Sequence, residues 1–558
     1  MANEKSDVLI NYANIWLDNF QNIKLDKEIL IDPARIAGEI GQKMRELNHN
    51  LSFDRQPLNF LEKLESFSPI IKEPQKVILP PPSSAAIDYG AITKLSLTEV
   101  VAAISEGKLT SEQTTRACLD RIETVGRSIN CIAGIDVEAA INAARKIDDR
   151  ISKGEKIGPL AGVPLAHKDM FYRKNRTSEC GSRIRKGFIP EFTSSVLKKL
   201  DQSGALDIAR LNMVEFAIGV TGHNEITGPV RNPWNLDYIS GGSSSGSGAA
   251  VAAGLVFGAL GSDTGGSIRF PASCCGLVGL KPTLGRVSRY GSMPLSYSLD
   301  TIGPLTRTVT DNAFIFQIIA GKDKYDPASS NLKTPDVLSN IEDGVKGLKL
   351  GIPKNYFLDS LDEEVSKLIN DAIKIFQELG AEIKLVTVPE SISAANGLTS
   401  LITATEGATI HNAWLSNQSK EYGHQTLGRL LAGAFTPATT YLDALQFRLI
   451  VLEEFMEAVF NSADVLLSPV MMTSVPTITE SDLSANPGFS KYIVKMGHAT
   501  RPINYLGLPG LSIPCGFTNN GLPSAFQLIG RPFDEGTLYK TARAYELKTD
   551  CTSHNPII

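Results

Sequence analysis

Three side chains set the chemistry open to this chain. They are Lys168 in Gly162-Val163-Pro164-Leu165-Ala166-His167-Lys168-Asp169, Ser243 in Gly241-Gly242-Ser243-Ser244-Ser245-Gly246-Ser247-Gly248, and Ser267 in Asp263-Thr264-Gly265-Gly266-Ser267-Ile268-Arg269. A lysine whose ammonium is destabilised acts as a base, a serine attacks a carbonyl or relays a proton, and glycine lets backbone N–H groups crowd around an anion. This is a hydrolase-like set with no histidine in it.

Other readings of the same residues are weaker. A Gly/Ser stretch is ordinarily a flexible linker. Here it runs straight into Ala249-Ala250-Val251-Ala252-Ala253, an apolar helical run, so it enters a buried helix. Gly242-Ser243-Ser244-Ser245-Gly246 also satisfies the Gly-x-Ser-x-Gly elbow with Ser244 at its centre, and that mechanism needs a later acid and then a histidine. His411, His424, His498 and His554 qualify only by order, and the elbow leaves Ser267 unexplained. Ser-x-x-Lys occurs at Ser195–Lys198 and at Ser330–Lys333 without its companion motifs, and no Walker-type phosphate loop is present.

The quoted segments resemble the amidase signature family, from roughly Leu95 to Lys548. The most specific block is Asp263-Thr264-Gly265-Gly266-Ser267-Ile268-Arg269-Phe270-Pro271-Ala272 continuing through Cys274-Cys275-Gly276-Leu277-Val278-Gly279-Leu280-Lys281-Pro282-Thr283. Asn212-Met213-Val214-Glu215-Phe216, Arg231-Asn232-Pro233-Trp234-Asn235 and Ser298-Leu299-Asp300-Thr301-Ile302-Gly303-Pro304 resemble it too. The resemblance implies an α/β fold with a mixed, twisted central sheet wrapped by helices.

It also implies roles. Ser267 is the nucleophile, and the N–H groups of Thr264, Gly265, Gly266 and Ser267 form the oxyanion hole. Glycines just before the attacking residue suit this, because a Cβ there would push the substrate carbonyl off those donors. Ser243, on a cis peptide after Gly242, relays the nucleophile's proton to the departing amine. Lys168 is the base, which requires burial to lower an ordinary lysine pKa of about 10.4. Ala217 and Ser243 are expected to contact substrate, with Ala217 to Thr227 as one wall and Met170, Phe171, Tyr290 and Met293 nearby. Asp263 and Arg269 are expected to take a structural role, by ion pair or hydrogen bond, in place of direct substrate contact, and His167 to be a packed core histidine.

The elements that must position these residues are partly readable. Before the resemblance begins, Ser6 starts a helical pattern carrying Val8, Tyr12, Ile15 and Phe20; Asp32-Pro33 starts another with Ile36, Ile40, Met44 and Leu47; a third is expected near Leu58 to Phe67. Their apolar stripes must be covered by one another, by the catalytic domain or by a second copy of the chain, so homodimerisation and a pocket lid stand beside a plain structural appendage. Pro80-Pro81-Pro82-Ser83-Ser84 resists helix and reads as a spacer. The expected units are an N-terminal helical domain over 1–75, a Pro/Ser-rich linker over 76–92 and a catalytic domain over 93–558. Within the last, Ser96-Leu97-Thr98-Glu99 reads as a capping box, strand-like runs Leu348–Ile352 and Ala463–Leu467 alternate with helical Leu361–Leu379, and such alternation argues for an α/β sheet.

At 558 residues with net charge −5 and no long basic run, the chain carries no footprint for nucleic acid or an anionic membrane. Its start lacks a basic-then-apolar signal pattern, and Ala249 to Gly261 is too short and glycine-rich to span a bilayer, so a cytoplasmic location is expected. Seven cysteines and seven histidines show no paired metal-ligand spacing, so neither a metal nor a cofactor is expected.

The resulting expectation is a stand-alone amidohydrolase that cleaves small amides, carbamates or urea-like compounds through an acyl-enzyme. The alternative is the glutaminase-type subunit of an amidotransferase, a branch with an aspartate three residues before the threonine of Thr-x-Pro-x-Asn. Here Thr500-Arg501-Pro502-Ile503-Asn504 carries Gly497 in that place. A binding protein on a retired scaffold is a third reading, opposed by retention of Lys168, Ser243 and Ser267 together.

Overall fold

In a computed structural model the described residues are 59–69 and 89–558, together with helical residues 37–38 and 41–42. The helix starts at Ser6 and Asp32-Pro33 and the Pro80–Pro82 spacer lie outside them.

Thirteen strands form along the chain: β1 (Ile132–Ile135), β2 (Pro164–Lys168), β3 (Leu206–Leu211), β4 (Arg231–Asn232), β5 (Asn235–Ile239), β6 (Gly258–Asp263), β7 (Val278–Lys281), β8 (Thr301–Thr306), β9 (Lys349–Pro353), β10 (Glu382–Val386), β11 (Val465–Pro469), β12 (Gly510–Phe517) and β13 (Pro523–Gly530). Eleven join one mixed sheet in the order β1-β3-β2-β6-β8-β7-β12-β13-β11-β9-β10, while β4 and β5 pair separately. The sheet is parallel at β3-β2-β6 and at β11-β9-β10 and antiparallel between these blocks. Central strands β2, β6, β7, β8, β11 and β13 are buried along their whole length, as strands covered on both faces must be. The expected α/β architecture, a mixed sheet wrapped by helices, is the one observed.

Local signals act where they were read. Ser96 Oγ accepts the Glu99 N–H at 3.2 Å and Glu99 Oε2 accepts the Ser96 N–H at 2.7 Å, which starts the helix Leu97–Ser105. The run Leu361–Leu379 forms the helix Glu363–Glu378, between β9 and β10. The Gly/Ser loop leads into the helix Ser245–Ala252, every residue of which is buried.

The helix expected near Leu58 to Phe67 runs Phe60–Ser66. It covers its apolar stripe on the catalytic body: the Arg448 guanidinium lies 3.5 Å from the Phe60 ring centroid, Lys63 pairs with Glu453 at 2.8 Å, and Ser330 Oγ donates to Glu65 Oε1 at 2.5 Å. Among the described residues no helix is long and apolar enough to cross a membrane, and no three His, Cys, Asp or Glu side chains gather as a metal-binding group.

Candidate active site

Parallel pairing places the C-terminal ends of β2 and β6 side by side, with His167 in register with Leu260. Lys168 ends β2 and is 1 % exposed. Its Nζ donates to Ser243 Oγ at 2.7 Å and to Ser262 Oγ, near the end of β6, at 2.8 Å. Among the described residues no carboxylate pairs with the amine. Burial dominates and lowers its pKa to about 7, against a weaker opposing pull from Asp300 and Asp263.

The loop carrying Ser243 is pressed between backbone segments. The Gly242–Ser243 peptide is cis, the Gly242 N–H donates to Val220 O at 2.7 Å, and the Ser243 carbonyl accepts the Val214 N–H at 3.2 Å. A Cβ on Gly242 would stand 2.8 Å from the Gly222 nitrogen, so the close approach excludes any side chain. The Ala217–Thr227 segment is therefore bonded to the serine loop, and Ala217 itself is buried with a positive φ of 64°.

Ser267 follows β6 on a turn whose backbone is tied to the serine loop, since the Ser244 N–H donates to Ser267 O at 3.2 Å. Ser267 is 6 % exposed, and its Oγ makes no hydrogen bond among the described residues. Gly266 takes a φ of +125°, and a Cβ there would stand 2.5 Å from the Phe270 ring and 2.7 Å from Thr500 Oγ1. No other residue fits that turn.

One expectation needs correction. The Gly266 N–H points at Asp263 Oδ1, 2.7 Å away, so it serves as an internal strut and is not free to face an oxyanion as expected. The carboxylate claims that hydrogen because Asp263 is fully buried and must satisfy its own oxygens. The amides of Thr264, Gly265 and Ser267 remain as donor candidates.

Asp263 and Arg269 meet as expected: Nε to Oδ2 at 3.0 Å and Nη2 to Oδ1 at 3.1 Å, both side chains wholly buried. Burial works against the Asp263 charge, but Arg269 outweighs it and the carboxyl lies well below the usual range. Asn504 Nδ2 adds a bond to Asp263 Oδ1 at 2.8 Å, and Gln527 Oε1 accepts from Arg269 Nη1 at 2.8 Å. Thr264 Oγ1 donates to Asp300 Oδ1 at 2.5 Å.

His167 sits in the core, 3 % exposed, its Nδ1 accepting the Leu260 N–H at 3.2 Å. Met293 N donates to Met170 O at 2.9 Å, but the Tyr290 ring is occupied, stacked between Phe192 and Tyr325 with ring centroids 5.0 Å away on each side. The elbow reading of Ser244 does not survive: its Oγ is buried against the backbone of Ser262, and His411, His424, His498 and His554 have partners elsewhere.

Sequence reasoning missed Ser262, Asn504, Gln527 and Asp300 as parts of this shell. Two signals were present: a serine at the end of an otherwise small and apolar strand, and a lone glutamine inside Ala525-Phe526-Gln527-Leu528-Ile529. A polar side chain in a buried strand needs a partner across the fold.

Comparison with known proteins identifies the family. Residues 113–539 match the family described as Amidase. One of the glutamyl-tRNA(Gln) amidotransferase subunits of Carboxydothermus hydrogenoformans is 39 % identical over 485 residues, covering 83 % of this chain and 99 % of that protein. Among solved structures, a chain from a vestigial protein complex bearing on the origins of an s-triazine catabolic enzyme superposes with a TM-score of 0.76 at 32 % identity, over 81 % of this chain and 98 % of that one. A bacterial aryl acylamidase of the amidase signature enzymes superposes with a TM-score of 0.75 at 27 % identity, over 83 % and 99 %.

Proposed function

The chain belongs to the amidase family, the class of C–N hydrolases and amidotransferases, and on that premise we propose that it cleaves carbonyl C–N bonds through Ser267, Ser243 and Lys168. The observation that carries this reading is the 2.7 Å contact between Ser243 and a buried lysine that, among the described residues, pairs with no carboxylate.

Lys168, neutral near pH 7, draws the Ser243 proton as Ser243 takes the proton of Ser267. The Ser267 Oγ adds to the substrate carbonyl, and the negative oxygen is met by the backbone amides of Thr264, Gly265 and Ser267. Each such donor is worth about 10²- to 10³-fold in rate. Ser243 then delivers its proton to the departing nitrogen, the C–N bond breaks, and an acyl-Ser267 ester remains. Water adds to that ester by the same relay and regenerates the serine.

Two substrate readings follow from this chemistry. The Carboxydothermus relative is named as part of an amidotransferase, which favours a glutaminase-type component working with partner subunits over the free amide, carbamate or urea-like substrate expected from the sequence. Against glutamine stands Gly497, which leaves no carboxylate for an α-ammonium in the place that branch uses. Release of ammonia or amine from glutamine, primary amides, anilides and alkyl carbamates, with and without candidate partner proteins, separates the two. Glutamine turnover that appears with a partner supports the amidotransferase reading, turnover of the small amides alone supports the hydrolase, and activity retained by Ser267→Ala on every substrate would overturn both.

A further inference from the structure

The helix Phe60–Ser66 lies ahead of the residues that match the family, 113–539, yet it packs on segments that stand behind the nucleophile. Its buried side chains, Phe60 and Leu64, bear on Gly507, where a Cβ would stand 3.1 Å from Phe60 Cε1 and 3.2 Å from Leu64 Cδ2. Gly507 closes the helix Arg501–Tyr505 that carries Asn504, its N–H donating to Asn504 O at 3.0 Å.

The Phe60 ring also covers Arg448, whose guanidinium carbon lies 3.5 Å from the ring centroid. Arg448 comes from the helix Ala438–Phe460 and is 3 % exposed. Its Nε donates to Tyr505 O, its Nη2 to Asn504 O at 3.4 Å and its Nη1 to Ser298 O at 3.1 Å. One cation thus joins two stretches of chain, and each stretch ends on the nucleophile turn. On the first, Asn504 Nδ2 donates to Asp263 O at 3.1 Å and to Asp263 Oδ1 at 2.8 Å. On the second, Asp300 follows closely on Ser298 and accepts from Thr264 Oγ1 at 2.5 Å. Asp263 in turn takes the Gly266 N–H.

Burial lowers the Arg448 pKa to about 10, which leaves it a cation near pH 7, and an aromatic face is a favourable neighbour for a desolvated cation. Arginines lie over rings elsewhere among the described residues, Arg185 at Phe188, Arg286 at Phe533 and Arg531 at Phe460, but there both partners belong to 113–539. At Arg448 the ring is supplied from outside that range.

Resting on the C–N hydrolase reading above, we propose that Phe60 is a positioning residue: it holds the Arg448 guanidinium against Ser298, Asn504 and Tyr505, and so fixes the turn that carries Thr264 and Ser267. The N-terminal helix then acts on the rate and not on substrate affinity. Donors aimed at a developing oxyanion count in the transition state, and their misplacement slows the chemical step.

Labelling of Ser267 by a fluorophosphonate, run on the full chain over a range of probe concentrations, separates the maximal rate from the half-saturating concentration. Phe60→Leu fills much of the space without an aromatic face. It should lower the maximal rate about tenfold and change the half-saturating concentration by less than about twofold, as loss of a desolvated cation–ring contact predicts. Phe60→Tyr, which keeps the ring, should recover most of the rate. Arg448→Met should lose at least as much as Phe60→Leu, and the double variant no more than Arg448→Met alone, because both changes act on one contact. Lys63→Met, which breaks the exposed pair with Glu453, should behave as wild type. Hydrogen exchange over 263–267 should quicken about tenfold in Phe60→Leu whether or not the serine reacts. Exchange there that matches wild type, losses that multiply in the double variant, or a Phe60→Tyr as slow as Phe60→Leu would overturn the proposal. Quickened exchange in Phe60→Leu, beside a wild type that takes no label, would support the lever and remove the hydrolase reading alone.

Discussion

The two serine loops of this molecule are supported by opposite electrostatics. Behind Ser267 a buried charge meets its opposite: Asp263 and Arg269 share two contacts, and Asn504 and Gln527 add further bonds to the pair. Behind Ser243 a buried charge-bearing group, Lys168, donates to the hydroxyls of Ser243 and Ser262 and, among the described residues, pairs with no carboxylate. Pairing keeps Asp263 ionised and pins the turn through the Gly266 N–H. Lack of pairing leaves desolvation to dominate Lys168, so its neutral form is accessible near pH 7. One side of the site thus obtains geometry from charge, and the other obtains reactivity from the absence of a counter-charge.

That contrast is open to attack by substitution. Ser267→Ala removes the attacking atom and should lower turnover about 10⁴-fold or more while leaving the melting temperature nearly unchanged. Lys168→Ala should lower turnover by about 10²- to 10⁴-fold, the usual range for a general base, again without loss of fold as seen by circular dichroism. Asp263→Asn attacks the paired side and should act on stability, since an uncompensated Arg269 costs about 3–5 kcal/mol, read as a lower midpoint in denaturant titration. Ser262→Ala is the mildest: one bond to the amine is lost, about 1–3 kcal/mol, and kcat should fall by roughly tenfold. If Asp263→Asn instead altered only rate, or Lys168→Ala only stability, the division of labour drawn here would be wrong.

How much of this was legible in the chain depended on range. The capping box at Ser96, the buried Gly/Ser loop, the position of Lys168 after an apolar run and the Asp263–Arg269 pair are set by neighbours in sequence, and the structure has each of them. Ser262, Asn504 and Gln527 act across 94, 241 and 258 residues, through contacts fixed only when β6, the helix Arg501–Tyr505 and β13 take their places in the fold. The Gly266 amide was misassigned for a related reason: motif position says that an N–H is present, but not that a carboxylate three residues earlier folds back to take it. The docking of Phe60 on Arg448 is likewise tertiary, and amphipathic spacing alone left three ways to cover that stripe.

The central claim is that Lys168 is a neutral base at ordinary pH, and the rate of fluorophosphonate labelling of Ser267 across pH measures it without any knowledge of the substrate. Because burial lowers the lysine pKa to about 7, the amine is protonated and idle below that value. The labelling rate of wild type should therefore fall about tenfold per pH unit below about 7 and level off above it, while Lys168→Ala should label slowly with no such inflection. A wild-type rate that stays flat from about pH 5 to 9, or an inflection that persists in Lys168→Ala, would contradict the account.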